Sequence, residues 1–459
     1  MAHDESIEAG RAALAEGRWE DARSAFETAL GDAETPEALE GLGTALWWLC
    51  DARASARHRE RAFVLYRHAG GQARACSVAV DLVITYLVNL GNAAAAQGWL
   101  ARAERVGRGL DPNPVQGWLW LMRGYLDHDP QRSRRALERA LQWARDEADL
   151  DLELVALADL GLALVAEGKV DEGMAMLDEA MAGSMAGECG HLETVVYNCC
   201  SMLTACHLAS DLERASEWCR VADEFMRTHT CPFLFARCRV HYGSLLLTKG
   251  QWDRAERELR AALRLAEDVG PGPKAEALAR LAELRVRQGR LDEAEELLTG
   301  CDETVGVALA AAELRLAGRQ PSVAVAILER RLTHVDANQA EAGPVLALLV
   351  EAHLACDDLD AAEAAAARLE SLAQAHRGEH LAALSALAWA HTRAARNADD
   401  AVVRLEEALE RFARLDLPLE AARVRLDIAR ALAEHRPAVA AAEARSALRG
   451  FERIGATAY

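Results

Sequence analysis

The sequence has little of what most catalytic folds are built from. It holds 31 glycines, 11 prolines, 7 phenylalanines and 6 tyrosines in 459 residues, and isoleucine is equally scarce. Strands favour β-branched and aromatic residues, so a sheet-based enzyme fold is close to excluded. Lysine occurs only at Lys169, Lys249 and Lys274, and acidic residues outnumber basic ones 72 to 52, a formal charge of −20. Such a chain repels phosphate backbones unless it carries a local basic face, so no direct nucleic-acid partner is expected. No apolar run can span a bilayer; the longest, Leu82 to Leu90, contains Asn89. The first residues, MAHDESIEAG, lack the basic start and apolar stretch of a secretory signal. A cytoplasmic protein without membrane attachment is expected.

Enzyme motifs are missing too. There is no H-E-x-x-H, no G-x-S-x-G and no strand-borne glycine loop. Gly161–Lys169 is the nearest string to a Walker A, but it has six residues between its glycines and ends GKV. No catalytic residue and no cofactor are assigned.

What is abundant is helix-forming. Alanine supplies 96 residues, and leucine, glutamate and arginine much of the rest. A single core rarely exceeds about 250–300 residues, so the chain is either several globular domains or an elongated array. A repeat decides for the array. GRWEDARSAFETAL (Gly17–Leu30) returns as GKVDEGMAMLDEAM (Gly168–Met181), GQWDRAERELRAAL (Gly250–Leu263), GRLDEAEELL (Gly289–Leu298) and DDLDAAEAAAARL (Asp357–Leu369). An amphipathic segment with apolar positions at i, i+3, i+4 and i+7 precedes each copy. The unit is a helix A, a tight turn at Gly or Asp, and a helix B.

A small residue on helix B marks the register: Ala22, Ser55, Ala95, Ala136, Gly173, Ala215, Ala255, Ala294, Ala324, Ala362, Ala401 and Ala441. Stacking buries the stripe that a lone hairpin exposes, so the fold class expected is an all-α, right-handed α-solenoid superhelix of about twelve hairpins, its A helices lining the concave face. It is expected to run over residues 1–459 as a single unit, with a break into two arcs near 300–306. The last segment, FERIGATAY, reads as the fraying end of a helix.

Leu42-Gly43, Leu46, Trp19, Ala22, Phe26 and Ala29 resemble the tetratricopeptide repeat, as do Leu160-Gly161, Leu164 and Ala180, in the longer-period variety of MalT-like regulators. ETPEALEGLGTALWWL, GWLARAERV, VDEGMAMLDEAMAG and CRVHYGSLLLTKGQWDRAERELRAALR are similar to the repeat region of actinobacterial LuxR-type transcriptional regulators and related adenylyl-cyclase fusions. The resemblance implies a signal-receiving or scaffold role in transcriptional regulation or signalling, with a protein, peptide or small ligand in the concave groove. The repeats start near residue 6 and fill the chain, which leaves no room in it for a LuxR-type helix-turn-helix, so the effector function does not carry over.

Candidate groove residues follow from the register. Trp47 and Trp48 sit late on an A helix, and two adjacent tryptophans are not expected to be buried together on one stripe. Tyr86, Trp120, Arg123 and Tyr125 belong to the next A helices, whereas Trp118 takes a core position. Tyr197, Cys200, Thr204 and His207 point into the groove; Arg237, Arg239 and His241 lie beside them.

Seven of the 11 cysteines fall between Cys189 and Cys238, interleaved with histidines. Thiolate and imidazole are metal ligands, and Cys200, His207, Cys231, Cys238 and His241 are the candidates for a metal- or thiol-based sensor, the alternative function. There is no C-x-x-C, and residues seven apart lie about 10.5 Å apart along a helix, too far to share a metal directly. Core packing of Cys199, Cys206 and Cys219 is favoured over ligation. Cys231 precedes Pro232 at a helix start, where the dipole lowers a thiol pKa. Mild alkylation is expected to label Cys231 or Cys200 before Cys199, Cys206 and Cys219; equal or reversed labelling would refute this register.

Overall fold

The computed structural model describes residues 2–458 apart from 111–112, 128, 210, 230–231, 267–270, 302–303, 335–340, 377, 397 and 399, and leaves aside the side chains at 2, 222–223, 225–226, 228–229, 232–238 and 271–273. Every regular element among the described residues is helical. The first hairpins are α1 (Ala2–Ala15) with α2 (Trp19–Asp32), α3 (Pro36–Trp48) with α4 (Ala52–His68), and α5 (Gln72–Ile84) with α6 (Ala93–Gly107). Next come α7 (Gln116–Leu126) with α8 (Pro130–Glu147), α9 (Leu150–Ala166) with α10 (Val170–Ala186), and α11 (Leu192–Ala209) with α12 (Leu212–His229). The second half pairs α13 (Pro232–Thr248) with α14 (Trp252–Ala266), α15 (Pro271–Arg287) with α16 (Leu291–Leu298), and α17 (Val305–Ala317) with α18 (Pro321–Leu332). It ends with α19 (Ala342–Ala355) and α20 (Leu359–His376), α21 (Glu379–Ala395) and α22 (Ala401–Arg414), and α23 (Pro418–Leu432) and α24 (Pro437–Ile454). A π-helical turn, Thr85–Asn89, extends α5.

Each A helix packs on its own B helix, and each B helix on the next A helix. Successive A helices also meet, α9 with α11, α11 with α13 and α15 with α17, so they form an inner row. The contact of α15 with α17 carries the stack across residues 300–306. No helix among the described residues is long and apolar enough to cross a membrane.

The hairpin turns share one device. Gly17, Gly168, Gly250 and Gly289 have φ between +69° and +84°, a left-handed conformation that costs glycine nothing. Cys50, Arg319 and Asp357 hold the same kind of φ in other copies without being glycine.

The register residues are buried at 22, 55, 136, 173, 215, 255, 294, 324, 362 and 401. Two need correction by one position: Ala96 and Ala440 are buried where Ala95 and Ala441 were expected. Both lie in alanine runs that hide the frame. Small residues are needed because backbones touch. A Cβ on Gly161 would meet the Gly173 carbonyl oxygen at 2.6 Å, and one on Gly173 would meet the Gly161 carbonyl oxygen closer still. At Ser55 the hydroxyl uses the same proximity and donates to the Gly43 carbonyl at 2.7 Å.

Two further expectations are overturned. Trp47 and Trp48 are both buried, because inner-row helices have neighbours on more than one side. Trp48 stacks on Trp19 at 4.3 Å, while Trp47 meets Trp48 edge-on and donates from its indole N–H to Asn89 Oδ1 at 2.9 Å. The C-terminal segment does not fray. Ile454 and Pro418 lie against Gly250, Ala456 is buried, and Thr457 Oγ1 donates to the Gln288 carbonyl at 2.7 Å. Lys249 Nζ donates to the Leu415 carbonyl at 2.8 Å. The last hairpin has come round to the turns of the seventh and eighth, so the C-terminal arc closes on itself.

Gly161→Ala is expected to destabilise the fold by about 1–3 kcal/mol, since the obstacle is backbone and cannot move as a side chain would. Urea unfolding checks this, and an unchanged midpoint would contradict it.

Candidate functional site

The first eleven helices bend around a cavity of about 670 Å³. Its floor is aromatic: Trp19, Trp47, Trp48, Trp118 and Tyr197. Its walls carry Glu37, Glu40, Asp81, Asp149, Asp151 and Glu193 against only Arg11, Arg59 and Arg74, besides His191. The excess is acidic.

Most of these charges have structural partners. Asp149 caps α9 through the Leu152 amide and accepts the Trp118 indole N–H at 3.1 Å. Asp151 accepts from the backbone amides of Gly190 and His191 and from Thr194 Oγ1 at 2.6 Å, and so pins the segment that enters α11 across the cavity. Glu193 accepts the Trp48 indole N–H at 3.1 Å. That bond joins the second hairpin to the sixth, which turns an open groove into a walled chamber. Glu40 accepts from Tyr66 and Arg74, yet burial still raises its pKa. Arg59 donates to Thr85 Oγ1 at 2.8 Å.

Asp81 differs. Its carboxylate makes no hydrogen bond or ion pair among the described residues. Burial pushes its pKa up, while Arg59 and Arg74 pull it back. Tyr197 is also shifted well upward, by burial first and then by Glu193 and Asp81. A half-buried carboxylate in an aromatic-lined cavity suits a positively charged group, which would return the favourable field that water supplies less of there.

The structure gathers Trp47, Trp48 and Tyr197 at this cavity and sends the other expected residues elsewhere. Tyr86 lies on the π-helical turn and donates to Glu60 Oε1 at 2.7 Å. Arg123 lies over the Trp120 ring at 4.2 Å and donates to Glu104, in a separate cleft. Tyr125 donates to Asp159, which also accepts from Ser201, and burial raises Asp159 to about 6. Cys200 is half-buried, and Thr204 donates to its carbonyl at 2.7 Å. His207 faces a second polar group made with His241, Glu276, Arg280 and His380. Arg237 and Cys238 lie on α13 with side chains outside the described residues, as Cys231 does entirely. The repeat register does not single out Asp81, Glu193, Asp151 or Arg59, and it gives Trp118 a core position, whereas all five line the cavity. Carboxylates are scattered along the whole chain, and only the curvature selects these.

Among the described residues, no three His, Cys, Asp or Glu side chains group to hold a metal ion. Cys199 and Cys206 are buried. Desolvation pushes the Cys206 thiol up to about 12 and Cys199 further, which makes both poor nucleophiles at neutral pH.

Residues 122–308 match the family model of the MalT-like TPR region, and residues 7–47 that of the tetratricopeptide repeat. The matched residues are thus tetratricopeptide repeats within an all-α array of stacked hairpins. Its middle stretch, α7 into α17, is of the MalT-like kind. No curated protein compared with the chain matches it. Among solved structures, the chain is similar to yeast Tom70, with 13% identity, TM-score 0.44 and coverage of 96% of this chain and 98% of that one. It is also similar to the APC/C hetero-tetramer Cut9-Hcn1, with 13% identity, TM-score 0.48 and coverage of 99% and 95%.

His207 yields a pH expectation. Burial, with Arg280 and His241 adding to it, lowers its pKa from 6.5 to about 3. The folded state therefore holds it neutral, and its contribution is complete above pH 6.5 and is lost as pH falls towards 3. His207→Gln is expected to show a smaller loss of Tm than the parent between pH 6.5 and 4.5. Parallel Tm profiles would contradict it.

Proposed function

We propose that this is a non-catalytic binding protein, a signal-receiving or scaffold component of the kind the LuxR-type resemblance implies for transcriptional regulation or signalling. Its ligand is a protein or peptide segment that places a positively charged side chain in the N-terminal cavity. The observation that carries this reading is Asp81: a half-buried carboxylate that makes no hydrogen bond or ion pair among the described residues, in an aromatic-lined chamber of about 670 Å³. The repeat family supports binding, since stacked hairpins offer extended concave surfaces. The chamber admits a few residues of a peptide, and a small organic cation uses the same chemistry.

The proposal is tested with end-blocked decapeptides of Leu and Ser carrying one central Arg or, as control, one central norleucine. Tryptophan fluorescence follows binding, because Trp19, Trp48 and Trp118 line the site. The Arg peptide is expected to bind more tightly, and Asp81→Asn to weaken it by about tenfold or more, the scale of a lost charge-assisted contact. Equal binding of the two peptides, or an Asp81→Asn variant of unaltered affinity, would overturn the reading.

A further inference from the structure

A second cleft of opposite sign lies outside the chamber. It measures about 550 Å³ and is lined by Leu100 from α6, by Trp120, Arg123 and Leu126 from α7, and by Arg132, Arg135, Ala136 and Arg139 from α8, with Asp127 at its edge. In a chain of net charge −20 this is a local excess of four arginines over one carboxylate. Residues three, four and seven apart share a helix face, so Arg132, Arg135 and Arg139 form one row along α8. The row sits between successive B helices, whereas the inner row of A helices builds the chamber.

The four arginines are not equivalent. Arg123 is committed to Glu104, and Arg132 pairs with Asp127 at 3.2 Å. Arg135 and Arg139 make no ion pair among the described residues, and both are exposed. Arg139 lies over the Trp120 ring at 4.7 Å, and Arg123 over the same ring at 4.2 Å. Stacking engages the face of a guanidinium and leaves its in-plane N–H groups open to a carboxylate. The ring therefore steadies a donor edge without consuming it. Leu100, Leu126 and Ala136 give the cleft an apolar wall beside that edge.

We infer that this cleft docks an acidic, leucine-bearing peptide segment of a partner protein, its carboxylates on Arg135 and Arg139 and its apolar side chains against Leu100, Leu126 and Ala136. Charge complementarity selects the occupant. A polyanion such as nucleic acid is repelled by the whole chain before it reaches a small basic patch. A short segment with two or three carboxylates feels mainly the local arginines, because screening sets in within about 10 Å at ordinary salt. The site is independent of the chamber: it takes the opposite charge and shares none of its lining residues.

The test uses the full chain and three probes: an end-blocked decapeptide alternating Glu and Leu, its Gln–Leu counterpart, and a single-stranded decanucleotide. Fluorescence anisotropy of labelled probes reads binding. The Glu–Leu peptide is expected to bind, the Gln–Leu peptide to bind about tenfold more weakly, and the decanucleotide to be weaker still. Arg135→Ala and Arg139→Ala, both at exposed positions, are each expected to reduce the affinity for the Glu–Leu peptide by about fivefold to tenfold, the scale of a charge-assisted pair. Asp81→Asn is expected to leave it unchanged, which separates this site from the chamber. Equal affinity for the Glu and Gln peptides, indifference to both arginine substitutions, or preference for the decanucleotide would overturn the inference.

Discussion

Between α9 and α10 the closest approach is backbone on backbone, with Gly161 and Gly173 facing each other and no space for a Cβ on either. Close contact of paired helices at a small residue recurs along the chain, at Ser55 against Gly43 and at Gly243 against Ala255. Dispersion gains fall off within a fraction of an ångström, so this contact holds the two helices at one distance. Hairpins of one geometry, stacked at a regular step, give a constant turn per repeat. Curvature follows, and from curvature comes closure.

Closure occurs at both ends of the molecule. In the N-terminal half, Trp48 reaches Glu193 and Asp151 pins the entry to α11, so the concave face becomes a chamber with desolvated charge inside. In the C-terminal half, Lys249 holds the Leu415 carbonyl and Thr457 the Gln288 carbonyl, so the last hairpin buries its apolar face on an earlier turn. The hydrophobic core records this, because Leu419, Phe451 and Ile454 belong to the same cluster as Trp252 and Leu284. A terminal helix that would otherwise face solvent is covered by the chain's own return.

The fold is legible in the sequence, because its signals are local and repeated. Small residues at a steady step, glycine at the turn and an apolar stripe three and four apart all act within one hairpin. The errors were local as well: alanine runs around Ala95 and Ala441 shifted the frame by one residue, and FERIGATAY carries no sign that Gln288 awaits it. The site was only partly readable. Trp47, Trp48 and Tyr197 came from the register of single helices, but their partners Asp81, Asp151 and Glu193 lie on different hairpins. Nothing in one helix distinguishes Asp81 from dozens of solvated carboxylates. The register of α7 points Arg123 and Trp120 to the groove, whereas they face the adjacent B helices. The arginine row on α8 is not among the residues the repeat register selects, because its meaning depends on Trp120 standing opposite.

Hydrogen exchange of the intact protein tests the central claim, that the superhelix closes on itself. The amides of Gly190 and His191 donate to Asp151, and that of Ala456 to the Phe451 carbonyl. Segments 189–194 and 451–458 are therefore predicted to exchange as slowly as the hairpins they dock on, since local opening would have to break packed contacts. Exchange of both segments at the rate of a free tail would contradict closure, and with it the walled chamber on which the binding account rests.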